Sequence, residues 1–327
     1  MVGNLKKKLP KKMDIYLTSL IERTLDKSDR EIVRISSESI SWKALREAEK
    51  IDDENYITQL VQYIETEKEK EKRDSAYFIL GHIANNTKNK IATDFLIERI
   101  EKEKDKSILS SLLDRIKYLE KTEETDIQPI INATKSKVWS IRQSAISALS
   151  NAKNSLAENT LLEIINNSID EYDLYYANCS LLSTGTKNSI SSLVKLLDHK
   201  KQDVSGTALS AILNLSDSSN LSLFVSQLEK GKNKFTALLG VIKFGDTTVI
   251  PNVVKRVKEL VSKKRTRQVI GSYGKTELIF AMEFLSNFAS ESDEPKKTYD
   301  FLTTKKADFI WDNETEWLLE NKSKFVK

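Results

Sequence analysis

Cysteine and histidine are nearly missing from this 327-residue chain, which has one cysteine, Cys179, and two histidines, His82 and His199. A single thiol forms no internal disulfide, and no cysteine cluster is available for zinc. Two histidines far apart in sequence supply little for metal or nucleophile chemistry built on imidazole. No catalytic, cofactor-binding or metal-binding residue is therefore assigned, and no cofactor is expected. Glycine and proline are scarce too, at nine and four. No run of about 18 apolar residues occurs, so no membrane span is expected. The basic start, MVGNLKKKLPKKM, is not followed by a continuous apolar segment, so no signal peptide is expected and the expected location is the cytoplasm. Neither sign of charge dominates: 52 Lys and Arg stand against 48 Asp and Glu, a net charge of +4. That balance does not by itself imply a nucleic-acid partner, so any electrostatic footprint has to be local.

Charge itself is abundant, at 31% of residues against 39% apolar, a ratio that suits a shape with much surface per residue. Apolar residues recur at helical spacing almost throughout, which predicts a nearly all-α chain. Short amphipathic blocks also repeat. With Leu60, Leu96, Ile130, Leu161, Leu193, Phe224 and Val253 as anchors, the steps are 36, 34, 31, 32, 31 and 29 residues. A second helix follows each block, with small residues at matching places: Ala76, Ala145, Ala177, Ala208 and Ala237. Close helix crossings need small side chains there. A helix pair repeated every 30-odd residues marks an α-solenoid of stacked antiparallel helix pairs.

The segments SLVKLLDHKKQDVSGTALSAIL and IQPIINATKSKVWSIRQSAISAL resemble HEAT repeats of the short bacterial kind. Each has an apolar first helix, a polar turn and an Ala-rich second helix, with Pro129 near one helix start and Ile141-Arg142 opening the Ala-rich part. Pro251 repeats the proline theme. The resemblance covers about residues 55–245. It departs from the family at the second-helix arginine, which survives clearly at Arg142 while Ser205 takes the corresponding place in another unit, so the usual Asp/Arg ladder is expected to be incomplete. The organisation expected is one continuous elongated domain with an N-terminal helical cap (1–50), HEAT-like repeats (51–246) and a C-terminal repeat and cap region (247–327). In the N-terminal cap a second helix is expected to start at Ser28, with Glu31 closing a capping box. In the C-terminal region large apolar side chains such as Phe284, Tyr299 and Trp311 are expected to seal the end of the stack.

One stretch imitates two motifs, VIGSYGKTELIF (Val269 to Phe280). A phosphate-binding loop needs a glycine five positions before its Gly-Lys-Thr, after a buried strand. Val269 stands there, and the preceding residues are charged and helical in pattern. A G-x-x-G clamp of the KH type needs a surrounding three-stranded sheet, and no strand pattern flanks Gly271 and Gly274. Both glycines are read as ending one helix and starting the next. The basic cluster around them is a separate feature: Lys255, Arg256, Lys258, Lys263, Lys264, Arg265, Arg267 and Lys275, against Glu259 alone. It suits phosphates or an acidic protein.

The resemblance implies that second helices line a concave face. Trp139, Arg142, Asp173, Tyr175 and Tyr176 open adjacent second helices and are the residue types that binding hot spots use; Asp114-Arg115 would lie on a similar face of the unit before. His82 is read as a helix-face or core residue and Cys179 as a small buried hydrophobe. The leading function is then a non-enzymatic scaffold or adaptor that grips another protein along the concave face. The alternative is nucleic-acid binding through residues 255–275, extending to an alkylpurine DNA glycosylase-like enzyme with Trp139, Asp173 and Arg142 matched by residue type only. A bilin lyase of the HEAT type is a third class.

Overall fold

The structure, a computed structural model, describes residues 13–29, 31–266, 271 and 274–326. Among them it is all-α, with eighteen α-helices, short 3₁₀ turns and a π-helical segment (Phe301–Lys305). The chain divides into two compact units, Met1–Ser189 and Ile190–Lys327.

In the first unit α1 (Ile15–Leu25) pairs with α2 (Ile40–Ala48), α3 (Asn55–Thr66) with α4 (Lys70–Thr87), and α5 (Lys90–Arg99) with α6 (Lys106–Ile116). Then α7 (Gln128–Ala133) pairs with α8 (Trp139–Ala148), and α9 (Ser155–Asn167) with α10 (Glu171–Thr184). The second helices α4, α6, α8 and α10 also pack side by side, which turns the pairs into a solenoid stack. The second unit repeats the plan with α11 (Ile190–Val194) and α12 (Gln202–Leu215), α13 (Leu221–Lys230) and α14 (Lys234–Phe244), and α15 (Ile250–Leu260) and α16 (Glu277–Ser286). It closes with α17 (Glu294–Asp300) and α18 (Asp312–Glu320).

The repeat register read from the sequence holds at every anchor. Leu60, Leu96, Ile130, Leu161, Leu193, Phe224 and Val253 are each 0% exposed, and so are all five matching alanines. Pro129 and Pro251 each sit in the first turn of a first helix, where their missing N–H has no helical partner to lose. Where second helices approach most closely, serine replaces apolar bulk and its hydroxyl stays bonded. Ser110 Oγ lies 3.0 Å from Ser144 Oγ, and Ser180 Oγ donates to the Ile146 carbonyl at 2.9 Å. Helix starts are capped locally, as at Asp105, which accepts from the Ser107 and Ile108 amides at 2.9 and 3.1 Å.

One expectation is corrected. The second helix of the N-terminal region starts at Ile40, not at Ser28. Ser39 is its cap, accepting from the Trp42 amide at 3.2 Å, while Ser28 and Glu31 lie in turns. The reason is that the apolar residues that follow, Ile32 and Ile35, find no neighbour to pack on and stay 81% and 58% exposed, so a helix there would gain no burial. α15 stops at Leu260, and the residues immediately before Gly271 lie outside the described residues. Gly274 takes φ +73°, a left-handed conformation that glycine adopts without strain, just before α16.

Candidate interaction surface

Thr276 caps α16, accepting from the Ile279 amide at 3.3 Å and donating to Glu314 Oε1 at 2.6 Å. Lys275 Nζ donates to both oxygens of Glu283, at 2.8 and 2.6 Å. The lysine and threonine that would serve a phosphate loop are held by a helix cap and an ion pair.

The basic cluster divides in the same way. Arg256 clasps Glu277 through Nε and Nη2 at 2.7 and 3.0 Å and also reaches Glu259 at 3.0 Å. Arg265 clasps the fully buried Glu314 and lies over the Trp311 ring. With Lys275 these three are inward ties of the C-terminal part. Lys255, Lys258, Lys263 and Lys264 are exposed, and Arg267 lies outside the described residues.

The residues matched to a partner face also divide. Arg142 Nε donates to both oxygens of Asp173 at 2.9 Å, and its Nη2 donates to Asp170 at 2.9 Å. Asp173 is 7% exposed, so this pair is an inter-repeat tie rather than a projecting hook. It has a counterpart two pairs earlier that the sequence reading passed over. Arg73 holds Glu103 through two bonds of 2.8 and 2.9 Å across 30 residues, as Arg142 holds Asp173 across 31. Burial by itself would raise the Glu103 carboxyl; the Arg73 bonds and the amides of Lys104 and Asp105 outweigh it and hold the group below its usual range. The ladder is thus incomplete but has two rungs, one with glutamate in place of aspartate, while Ser205 with Asn233 stands at another place. Trp139 is 66% exposed, and Tyr175 and Tyr176 are half-buried with their rings edge to face at 5.2 Å. Cys179 is partly covered, and burial pushes its thiol up, away from the reactive thiolate.

A groove of about 560 Å³ opens between α4 and α6 in the first unit. α4 contributes Phe78, Gly81, His82 and Asn85; α6 and the residue pair after it contribute Ser111, Asp114, Arg115 and Tyr118. The two sets are one repeat apart, 33 positions in each case (78 to 111, 81 to 114, 82 to 115, 85 to 118). Within each set the spacing is that of one helix face. His82 meets Phe78 edge-on with ring centres 4.5 Å apart. Burial pushes the His82 imidazole below its ordinary value, Arg115 and Arg46 add to this, and Glu49 opposes it, so the ring is neutral at pH 7. The Arg115 guanidinium lies 5.6 Å from the Phe78 ring centre and donates through Nη1 to Asp74 at 2.7 Å. Its Nε is buried without an acceptor among the described residues. Tyr118 is 64% exposed. A Cβ on Gly81 would make ordinary contact there, 3.6 Å from Arg115 Cβ. The groove therefore offers aromatic walls, the edge of the Arg115 side chain, and the exposed carboxylate of Asp114. The 33-residue recurrence was readable in the sequence; the gap between the helices was not.

No group of three or more His, Cys, Asp or Glu side chains suited to a metal ion occurs among the described residues, and none of their helices is long and apolar enough to cross a membrane.

No protein-family model matches the chain, and no curated protein matches it. Solved structures do. The Escherichia coli protein YibA is 15% identical and superposes with a TM-score of 0.53, covering 90% of this chain and 99% of that one. The likeness is one of fold. An engineered protein (17% identical, TM-score 0.45, 93% and 88% covered) and the CpcE–CpcF complex of phycocyanin lyase from Nostoc sp. PCC7120 (15%, 0.44, 76% and 94%) are more distant.

Proposed function

We propose that this protein is a HEAT-like, non-enzymatic adaptor that binds another protein along the second-helix face of its first unit. The α4–α6 groove is the anchor point. The observation that carries the reading is the groove itself, walled by Phe78, His82 and Tyr118 with the Arg115 guanidinium against the Phe78 ring. Aromatic side chains with arginine are the usual anchors of protein interfaces. Trp139 and Tyr172, exposed at 66% and 65%, extend the aromatic surface at the starts of α8 and α10.

Arg142 and Asp173 leave the list of contact residues, because their charges are spent on each other. The same pairing removes the support for a glycosylase reading, in which Asp173 would need a free carboxylate beside a nucleotide. The test is affinity purification from the native cell with the wild-type chain and with H82A/Y118A. Both substituted side chains are at the groove surface, so the circular dichroism spectrum and melting temperature are expected to change little. The co-purifying partner is expected to be lost. Full recovery of that partner by a folded double variant would rule out the groove as the anchor.

A further inference from the structure

In the first unit, the turns that lead into the second helices turn one rank of side chains toward water. Just before the N-caps of α4, α6 and α8 that rank holds Lys68, Lys104 and Lys137, all exposed. Before α10 it holds Ile169, which is 98% exposed, the most exposed large apolar side chain among the described residues. Two rings stand at the same edge. Trp139 opens α8 and Tyr172 lies in the first turn of α10, exposed at 66% and 65%. Folding of the unit leaves most of this apolar surface in water.

Arg142 brings the two turns together. It donates to the Ser136 carbonyl at 3.2 Å, on the turn before α8, and to Asp170 and Asp173 at 2.9 Å, at the start of α10. Trp139 lies three residues before Arg142 and shares its face of α8, the side that meets α10. The residues on either side of Ile169 fix its turn. Ser168 Oγ donates to Asp173 at 3.3 Å and accepts from the Asp170 amide at 3.1 Å. Ile169 therefore projects from a tip that is already ordered, so burying it against another phase orders little chain.

Charge at this edge suits an anionic surface. The carboxylates of Asp170 and Asp173 are taken up by Arg142, and Glu171 is half-buried and engaged. Lys135 and Lys137, on the turn before α8, are exposed and have no side-chain partner among the described residues. Val138 stands at the N-cap of α8, so no side-chain cap offsets the positive end of that helix. An aliphatic tip, aromatic rings beside it and free lysines next to them match the three zones of a bilayer surface: hydrocarbon, interface and headgroup phosphate. The anchors of protein interfaces sit in packed, partly enclosed surroundings, whereas Ile169 stands free on every side. A bilayer takes such a tip without a shaped pocket.

We propose that the starts of α8 and α10 form a contact with membranes that contain anionic lipid. Ile169 and Trp139 enter the bilayer surface, and Lys135 and Lys137 meet the headgroups. This edge is distinct from the α4–α6 groove and goes beyond the adaptor reading, and its test leaves His82 and Tyr118 intact. The full chain is sedimented with vesicles of phosphatidylcholine, alone and with about 30% phosphatidylserine. Binding is expected on the mixed vesicles and is expected to weaken with salt. W139S/I169S is expected to weaken it by about 10-fold or more, and K135A/K137A by up to about 30-fold, the worth of two lysines at an anionic surface. I91S/L156S removes two apolar side chains, each 52% exposed, at the starts of the first helices α5 and α9, and is expected to bind as wild type does. All six substituted side chains are exposed, so circular dichroism and melting temperature are expected to change little. Lipids brominated in the acyl chain are expected to quench the fluorescence of wild type more than that of W139F. Absence of binding to the mixed vesicles, or equal losses in W139S/I169S and I91S/L156S, overturns the proposal. A wild-type dimer that W139S/I169S makes monomeric, with no vesicle binding, overturns it in favour of a second copy of the chain. Loss of a co-purifying protein by W139S/I169S, again with no vesicle binding, overturns it in favour of a protein partner.

Discussion

Lys121 shows how far a single residue can depart from what its type suggests. Its side chain is 0% exposed, and Nζ donates to the carbonyls of Ile116 and Leu119 at 2.8 and 2.6 Å. Burial pushes the ammonium down to about 7 from its ordinary value of 10.5. A neutral amine has two N–H groups, and there are two carbonyls to receive them. The folded-state value lies below that of the unfolded chain, so between about pH 7 and 10.5 the unfolded state binds more protons. Stability therefore rises with pH through that window, at up to about 1.4 kcal/mol per unit from this group, and the gain is absent at pH 7 and below. K121M is expected to lose this rise. At pH 10 it should be less stable than wild type by about 1–3 kcal/mol, because two buried carbonyls lose their donor, and this deficit should shrink steadily as pH falls and be gone before pH 7. Urea midpoints measured across pH 6.5–10 check this. In the sequence Lys121 sits in EKTEET and reads as one more solvated charge. Its burial follows from the bridge that joins residue 121 to residue 152, a pairing with no local signal.

At the scale of elements, two glycines inside helices have opposite meanings. A Cβ on Gly240 of α14 would lie 2.2 Å from Phe224 Cδ1 of α13, so the helices meet there only because no side chain intervenes. A Cβ on Gly81 of α4 would meet nothing closer than 3.6 Å. G240A is expected to destabilise by about 1–3 kcal/mol through overpacking. G81A is expected to be neutral or stabilising by up to about 1 kcal/mol, since glycine is a poor helix residue. Thermal melts of the two variants should move in different directions or by clearly different amounts. The helices, their repeat and the seven anchors were legible in the sequence because each depends on apolar spacing within about a dozen residues. The start of α2 was not, because a cap sequence at Ser28 looks the same whether or not an apolar stripe follows it in space. The groove lay between these cases. Its two lining sets share one spacing in sequence, but whether small residues leave a gap or close it depends on how α4 and α6 are held.

For the whole molecule, the inter-element hydrogen bonds described above connect residues no more than about one and a half repeats apart, and each helix is stabilised chiefly by its neighbours. Stability of such an array is close to a sum of repeat and nearest-neighbour contributions. Leu112, fully buried in α6, tests this. L112A is expected to cost about 2–5 kcal/mol. Hydrogen exchange should then accelerate in α4, α6 and α8, while α14 and α16 keep their wild-type rates. Uniform acceleration across the chain would show global cooperativity instead. At this scale the sequence by itself determined the all-α class, the period near 32 residues and the buried face of nearly every helix. Burial of an apolar face is repaid by any neighbour, so spacing along the chain is enough to predict it. Only the tertiary structure decided which charges act outward. A lysine or arginine can reach a carboxylate 21, 30 or 49 residues away, and whether it does depends on which helix ends meet. That is why eight cations along residues 255–275 became three inward ties, four exposed lysines and one residue outside the description.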